Sequence, residues 1–348
     1  MKILAVHPGA TVSIQDVWSG LDAALRRAGH DVIAYALDGR LAVAGEYLHA
    51  AWKRSGKPKS EHPSDADVIY WASQGIVERA LRMQVDWVLI TSGMYCHPDA
   101  LVLLRRAGIR VAVLLTESPY DQAHEGKLIV HADACWTNER ASLTYLRMYN
   151  PAVEYLPHAY APERHTPTAD DSPDVPAHDV VFVGTGFAER VEMLNAVDWS
   201  GIDVGIYGLW DLVPKSSPLQ ASIHPGAIDN RMTAALYRKA RIGLNLYRSS
   251  MGYGLKAPRV RHAESLNPRA LELAACGVFT LSDFRAEVYE VFGPLVPTFR
   301  DAKDLGDLVR RWLADDGKRR AVAAQLPAAV AGRTFDDMAA AITARLAQ

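Results

Sequence analysis

The spacing of apolar residues changes period twice in the first 36 positions. Lys2 to Val6 is a short, nearly continuous apolar run, the pattern of a strand buried on both faces. Ile14, Val17, Leu21, Ala24, Leu25 and Ala28 then recur at helical spacing, with Ser13 placed to cap the helix and Gly29 to stop it. Asp31–Ala36 returns to strand character. Strand, helix and strand at this interval predict a βαβ unit, hence a parallel sheet and an α/β fold. The rhythm continues with helices over Ser64–Met83 and Pro98–Ala107, strands over Asp86–Ile90 and Ile109–Leu115, and a short strand Asp133–Thr137. A helix Glu139–Met148 capped by Asn138 and a strand Val153–Leu156 complete the set. Residues 39–63 interrupt it, mixing Arg40, Lys53, Arg54, Lys57 and Lys59 with Trp52, Gly56, Pro58 and Pro63. They read either as a functional insertion or as a solvated basic helix end with a loop.

Pro157 to Ala177 is rich in proline and carboxylates and lacks periodicity, as a connector would. Beyond it the pattern restarts: strand Asp179–Val183, turn Gly184-Thr185-Gly186, helix Phe187–Val197, strand Ile202–Tyr207, helix Asn230–Ala240 and strand Ile242–Tyr247. Helices over Phe284–Val291, Asp301–Asp315 and Lys318–Ala324 follow, and an amphipathic helix Thr334–Ala347 comes last. The expected organisation is an N-terminal Rossmann-like domain (1–157), a linker (158–178), a second Rossmann-like domain (179–330) and a terminal helix (331–348).

Composition narrows the class without naming an activity. The 348 residues are 49% hydrophobic and 22% charged with a formal net charge of −2, so nothing calls for nucleic acid or an acidic membrane. Cys96, Cys135 and Cys276 have no metal-ligand spacing, and no metal site is expected. The N-terminal apolar run is too short for a signal peptide, and no segment reaches the roughly 18 apolar residues that span a bilayer. We expect a soluble cytoplasmic protein of open oligomeric state.

The chemistry concentrates at Asn267-Pro268-Arg269-Ala270-Leu271-Glu272-Leu273-Ala274-Ala275-Cys276-Gly277. Asn at the N-cap, Pro at the first helical position and Gly after the last turn predict a short helix. Its unpaired N–H groups and dipole, with Arg269 beside them, make a phosphate seat. Glu272 within that helix and Glu264 eight residues earlier suit sugar or ribose hydroxyls next to a diphosphate; the same spacings also describe a capped surface helix. Gly184 and Gly186 admit a ligand to the backbone, with Arg190 following on the first turns. Lys256, Arg259 and Arg261 make the Gly-rich Arg248–Arg261 loop a candidate lid. Trp210 is a candidate for nucleobase stacking, or else a core or lid residue. Since ligands of parallel sheets sit beyond the carboxyl ends of strands, His7 and Glu117 become candidates for a catalytic base or acceptor contacts, and His158, at the end of its strand, for a cleft residue.

These residues carry a resemblance. The Glu264/Glu272 spacing with Leu-Ala-Ala-Cys-Gly-Val-Phe is similar to the donor motif of retaining GT-B glycosyltransferases. Asn-Pro-Arg-x-x-Glu-x-x-x-x-Gly, Tyr155-Leu156-Pro157-His158-Ala159, Val181-Phe182-Val183-Gly184-Thr185, Glu189-Arg190 and Ile242-Gly243-Leu244-Asn245 resemble the spore-maturation (CgeB-like) branch. The resemblance spans roughly residues 110–325. It implies a GT-B fold, two Rossmann-like domains facing across a cleft, with the last helix crossing back to the first domain. It further implies transfer of a sugar, with retention, from a nucleoside-diphosphate sugar, a UDP-sugar by preference. On this reading Gly184, Gly186, Arg190, Trp210, Lys256, Asn267, Arg269 and Glu272 hold the donor, while Glu264, Glu117 and His7 are catalytic. The acceptor is a protein or small molecule in preference to DNA. The alternative is a nucleotide-sugar epimerase or a non-catalytic nucleotide-sugar-binding protein.

Overall fold

The computed structural model describes residues 1–9, 14–169, 173–226, 228–260 and 262–348. The chain forms two compact units, Met1–Leu156 with Phe335–Gln348, and Pro157–Thr334.

The first unit runs β1 (Lys2–His7), α1 (Gln15–Arg27), β2 (Asp31–Ala36), α2 (Asp38–Ser55), α3 (Asp65–Met83), β3 (Trp87–Thr91), α4 (Pro98–Arg106), β4 (Arg110–Leu115), α5 (Gln122–Ile129), β5 (Ala134–Thr137), α6 (Leu143–Leu146) and β6 (Val153–Tyr155). Its sheet is parallel in the order β2-β1-β3-β4-β5-β6. Val6 pairs with Ile90, Thr91 with Leu114 and Leu115 with Thr137, so the carboxyl ends of four strands lie side by side. Ile3 to Val6 and Val111 to Leu115 are buried on both faces, which is why they read as unbroken apolar runs. α3 starts with a capping box between Ser64 and Asp67, and α4 starts with Pro98 at its first turn.

Three expectations change here. Residues 39–63 are mostly the regular helix α2, followed by a single 3₁₀ turn over Lys59–Glu61. Only Ala44 of α2 is buried, so the helix lacked the apolar stripe that would have announced it. The Glu139–Met148 helix shrinks to a 3₁₀ turn and the short α6, and Asn138 does not cap it: its amide donates to the Leu156 carbonyl (2.6 Å), while the Glu139 carboxylate accepts from the Ala141 N–H (2.9 Å). α5 was not anticipated. Ser13, expected as a cap, lies outside the described residues.

The second unit contains β7 (Val180–Val183), α7 (Ala188–Asn195), β8 (Val204–Gly208), β9 (Ile223–Pro225), α8 (Asn230–Lys239), β10 (Ile242–Asn245), α9 (Pro268–Ala275), β11 (Thr280–Asp283), α10 (Ala286–Phe292), β12 (Thr298–Phe299), α11 (Ala302–Ala314), α12 (Asp316–Ala323) and α13 (Leu326–Ala329). Its parallel sheet has the order β12-β11-β10-β7-β8-β9. Phe182, Ile206, Leu244 and Leu281 from its strands, Phe279 just ahead of β11 and Trp312 from α11 join one core. Among the described residues, no helix is long and apolar enough to cross a membrane.

The last helix, α14 (Phe335–Leu346), belongs to the first unit and packs on α1. Arg27 pairs with Asp336 (2.7 Å) and Arg345 with Glu154 (3.5 Å), but both pairs are exposed and contribute little. Packing carries the junction. A Cβ on Gly20 would meet the Phe335 ring at 2.3 Å. Gly20→Val should therefore cost about 1–3 kcal/mol by overpacking. Chemical denaturation should show the loss as a lowered midpoint, smaller when Phe335→Leu is added; an unchanged midpoint would contradict this seating of α14.

Candidate functional site

The carboxyl ends of β7, β10 and β11 carry the densest charge chemistry of the second unit. Asn267 caps α9 as its sequence predicts, accepting the Ala270 N–H at 3.0 Å, with Pro268 in the first turn. From that turn Arg269 reaches across two adjacent strands. Its Nε donates to the Val183 carbonyl (2.7 Å) and its Nη1 to the Leu246 carbonyl (3.1 Å), with the guanidinium 4.6 Å from the centre of the Phe182 ring. Two of its three nitrogens thus bind backbone, so Arg269 also braces the helix start against the sheet.

The same contact explains the glycines differently from the sequence reading. A Cβ on Gly184, whose φ is +151°, would lie 2.2 Å from Arg269 Nη2, and one on Gly186 would lie 2.5 Å from the Trp210 indole. Side chains of the protein fill the space expected for a ligand. Trp210 is buried in the core, edge-on to Phe182 at 5.6 Å, with its N–H on the Tyr207 carbonyl (3.2 Å). It is a core residue, and the stacking role for it is withdrawn.

Beside this framework is a cavity of about 240 Å³, whose lining includes Glu189, Arg190, Tyr247, Arg248, Asp283 and Arg285. Arg190 is buried, its guanidinium 5.5 Å from the Phe182 ring centre and 5.2 Å from that of Phe187, with Nη1 on the Thr185 carbonyl (2.8 Å). Arg248 lies 5.0 Å from the Phe187 ring, and Arg285 lies 3.8 Å from that of Tyr247 with Nη1 on the Ser265 carbonyl (2.7 Å). Aromatic faces and carbonyls therefore hold the like charges close together. Asp283 is the acid among them. Burial pushes its carboxyl up to about 6, against the Tyr247 N–H, which reaches its two oxygens at 3.1 and 3.0 Å, and against nearby Arg285, Arg190 and Arg269. Burial also opposes charge on Glu189, but the Ser250 hydroxyl and the Ser249 and Ser250 amides outweigh it and hold that carboxyl below its usual range. Glu189 thereby fastens the start of the 248–260 loop to α7, and Arg259 adds an ion pair with Glu192 (2.8 Å).

Other predicted residues spread more widely. Lys256 is exposed on that loop, and Arg261 lies outside the described residues. Glu264 is exposed ahead of α9, its carbonyl accepting the Glu287 N–H (3.1 Å). Glu272 is only 13% exposed, with its Oε1 4.0 Å from His165 Nε2. Burial raises its pKa, opposed by Arg269, Asn230 and Arg164. His158 stays neutral, pushed down to about 3 by burial and by Arg285. In the first unit His7 is buried and stacked on Trp18 (3.7 Å), its pKa lowered by burial against the pull of Asp38. The Glu117 amide donates to buried Glu125 (2.9 Å), whose carboxyl burial raises to about 8 despite hydrogen bonds from Ser118 and Glu117. Tyr247, Asp283, Arg285 and Glu125 were not picked out from sequence. From sequence, the apolar run after Gly277 reads as a strand ending at Leu281, ahead of the helix Phe284–Val291; β11 instead runs to Asp283, so Asp283 had seemed to belong to a loop and Arg285 to the helix.

The family model described as glycosyl transferase-like matches residues 190–343. Spore protein CgeB of Bacillus subtilis (strain 168) is 25% identical over 269 residues, covering 75% of this chain and 83% of CgeB. Among solved structures, sucrose-phosphate synthase from Thermosynechococcus elongatus superposes with a TM-score of 0.70 at 16% identity, covering 100% of this chain and 99% of that one. Anabaena HepE in complex with UDP gives 0.62 at 12% identity, with both chains covered completely, 100% each. Its two parallel α/β sheets give the chain the GT-B fold, and the match to the glycosyl transferase-like family model takes in Arg190, Arg248, Asn267, Asp283 and Arg285.

Proposed function

We propose that the second unit binds a nucleoside-diphosphate sugar, a UDP-sugar by preference, and that its sugar is transferred with retention to an acceptor hydroxyl. The observation that carries this reading is the gathering of Arg190, Arg248 and Arg285 around one cavity at the carboxyl ends of β7, β10 and β11. Three guanidinium groups share this cavity with two carboxyls, Glu189 and Asp283, a balance of charge that suits an anion such as a diphosphate. HepE, of the same fold, is described with UDP bound. In the reaction the bond from the anomeric carbon to the diphosphate oxygen breaks, a bond to the acceptor oxygen forms, and the acceptor proton passes to the departing phosphate. Negative charge grows on the diphosphate, and preorganised guanidinium groups and the Asn267 helix start stabilise it most at that point. On this reading side chains provide the positive charge and no metal is required. Glu272 and Glu264 serve the ribose and sugar hydroxyls, and Glu117 and His7 face the acceptor; the location is cytoplasmic.

Calorimetry with UDP and uridine tests the donor reading. Arg248→Ala and Arg285→Ala should each weaken UDP by about 1.5–3 kcal/mol, the range of a charge-assisted hydrogen bond, and leave uridine nearly unaffected. Equal losses for both ligands would remove these arginines from the phosphate site.

Asp283 gives the site a pH dependence. Its folded-state carboxyl titrates near 6, so protonation below that value removes a negative charge beside Arg285 and Arg190. Affinity for UDP-glucose, whose phosphates do not titrate in this range, should rise as pH falls from 7 to 5, with an inflection near 6. Asp283→Asn should flatten the profile, and a wild-type profile that is already flat would refute the assignment.

Stereochemistry is read directly. Product NMR should show the donor's anomeric configuration kept, whereas an inverted product would call for a general base, with His7 and Glu117 the first to test.

A further inference from the structure

Helices α2 and α3 pack as an antiparallel pair. At one end a Cβ on Gly75 of α3 would lie 3.8 Å from Arg40 Nε of α2; in the middle the Tyr47 and Trp71 rings meet at 4.9 Å; at the other end Trp52 meets His62, just ahead of α3, at 4.8 Å. Ile76 and Ala80 of α3 enter the first unit's core, whereas α2 buries Ala44 alone. The outer face of the pair stays open. Val43 is 66% exposed, Tyr47 53%, Trp71 48% and Tyr70 40%. Val43 and Tyr47 are neighbours one turn apart on α2, and Tyr47 touches Trp71, so the patch is continuous. A continuous exposed apolar patch marks an interaction surface, and aromatic rings are the side chains that anchor one.

Charge around the patch decides what covers it. Arg40 of α2 and Glu78 of α3 are exposed at the same level, both close enough to Tyr35 to act on its hydroxyl. At the opposite end Lys53 and Arg54, in the last turn of α2, stand level with the first turn of α3, which holds Asp65 and Asp67. α2 is therefore basic at the two levels where α3 is acidic, although Glu46 tempers α2 between them. An anionic membrane or a strongly acidic protein suits α2 and is repelled by α3, and a basic partner meets the reverse. A second copy of the same pair satisfies both helices. A two-fold axis along the groove between them lays α2 of each copy on α3 of the other, so Arg40 faces Glu78, Lys53 and Arg54 face Asp65 and Asp67, and Tyr47 faces Trp71 across the centre.

We propose that the outer face of α2 and α3 is the interface of a homodimer, with Tyr47 and Trp71 of both copies at its centre and the charges of α2 set against those of α3. The dimer is independent of the donor reading. The helices have 18 and 19 residues. Side by side they form a face about 27 Å long and about 20 Å wide, roughly 500 Å² in projection, close to the roughly 600 Å² per partner at the lower end of specific interfaces. An association of that size, with a polar rim, is reversible.

Sedimentation velocity on the full chain tests this, over about 1 to 100 μM, the range expected of so small an interface. The wild type should pass from one chain's mass to twice that mass as concentration rises. Tyr47→Ala and Trp71→Ala should each raise the dissociation constant tenfold or more, with unchanged far-ultraviolet circular dichroism because both side chains are exposed. Glu78→Arg should weaken the dimer as well, and adding Arg40→Glu should restore it. A single-chain mass at every concentration overturns the proposal, and so does a dimer indifferent to both aromatic substitutions. Loss on Glu78→Arg without rescue by Arg40→Glu overturns the crossed arrangement of α2 on α3. A single-chain mass accompanied by binding to phosphatidylglycerol vesicles, lost in Trp71→Ala, gives the face to a membrane instead.

Discussion

The reach of Arg269 sets the geometry of the second unit. One guanidinium ties the first turn of α9 to carbonyls at the ends of two neighbouring strands, and it can do so because nothing projects from Gly184. The helix start is thereby fixed at the sheet edge where ligands of such folds collect. The Phe182 ring that meets Arg269 also meets Arg190, and Phe187 relays the stacking to Arg248. A framework contact and a binding surface are therefore parts of one construction. Changing any member alters both, which makes simple loss of activity a poor guide to which residues touch substrate.

The acid within this cluster follows the same logic. Asp283 is surrounded by cations yet titrates high, because burial outweighs their attraction. Glu189 is partly buried too, but hydroxyl and amide donors hold it ionised. Two carboxyls that line one cavity thus titrate in different ranges for local reasons, and only one of them is placed to respond near neutral pH.

Much of the architecture was legible because parallel strands buried on both faces leave unbroken apolar runs, as in β1 and β4, and because Asn267-Pro268 and Ser64 mark helix starts by local hydrogen bonding. Period says little where burial is slight, so residues 39–63 read equally as an insertion or as a solvated basic helix end with a loop. In the site, the capped helix and Arg190 could be found from chain-local pattern. The reason for Gly184 and Gly186 could not, since Arg269 and Trp210 arrive from distant sequence. Asp283 and Arg285 were hidden by a two-residue error in a strand end. Trp210 had the composition of a stacking residue and the surroundings of a core one, a difference that no linear spacing records.

The return of α14 to α1 has a consequence for how the protein is born. The ribosome delivers nearly all of the first unit, then the entire second unit, and only then the helix that covers α1. Until that helix emerges, the face of α1 around Gly20 that receives Phe335 stays open while a second sheet is folding on the same chain. Such waiting surfaces are where nascent two-domain chains misassemble. The loop that α14 must close is long, though its entropic cost grows only logarithmically with length. Timing in synthesis, more than final stability, is therefore the exposed point of this topology, and a chaperone that shields α1 would act during that interval.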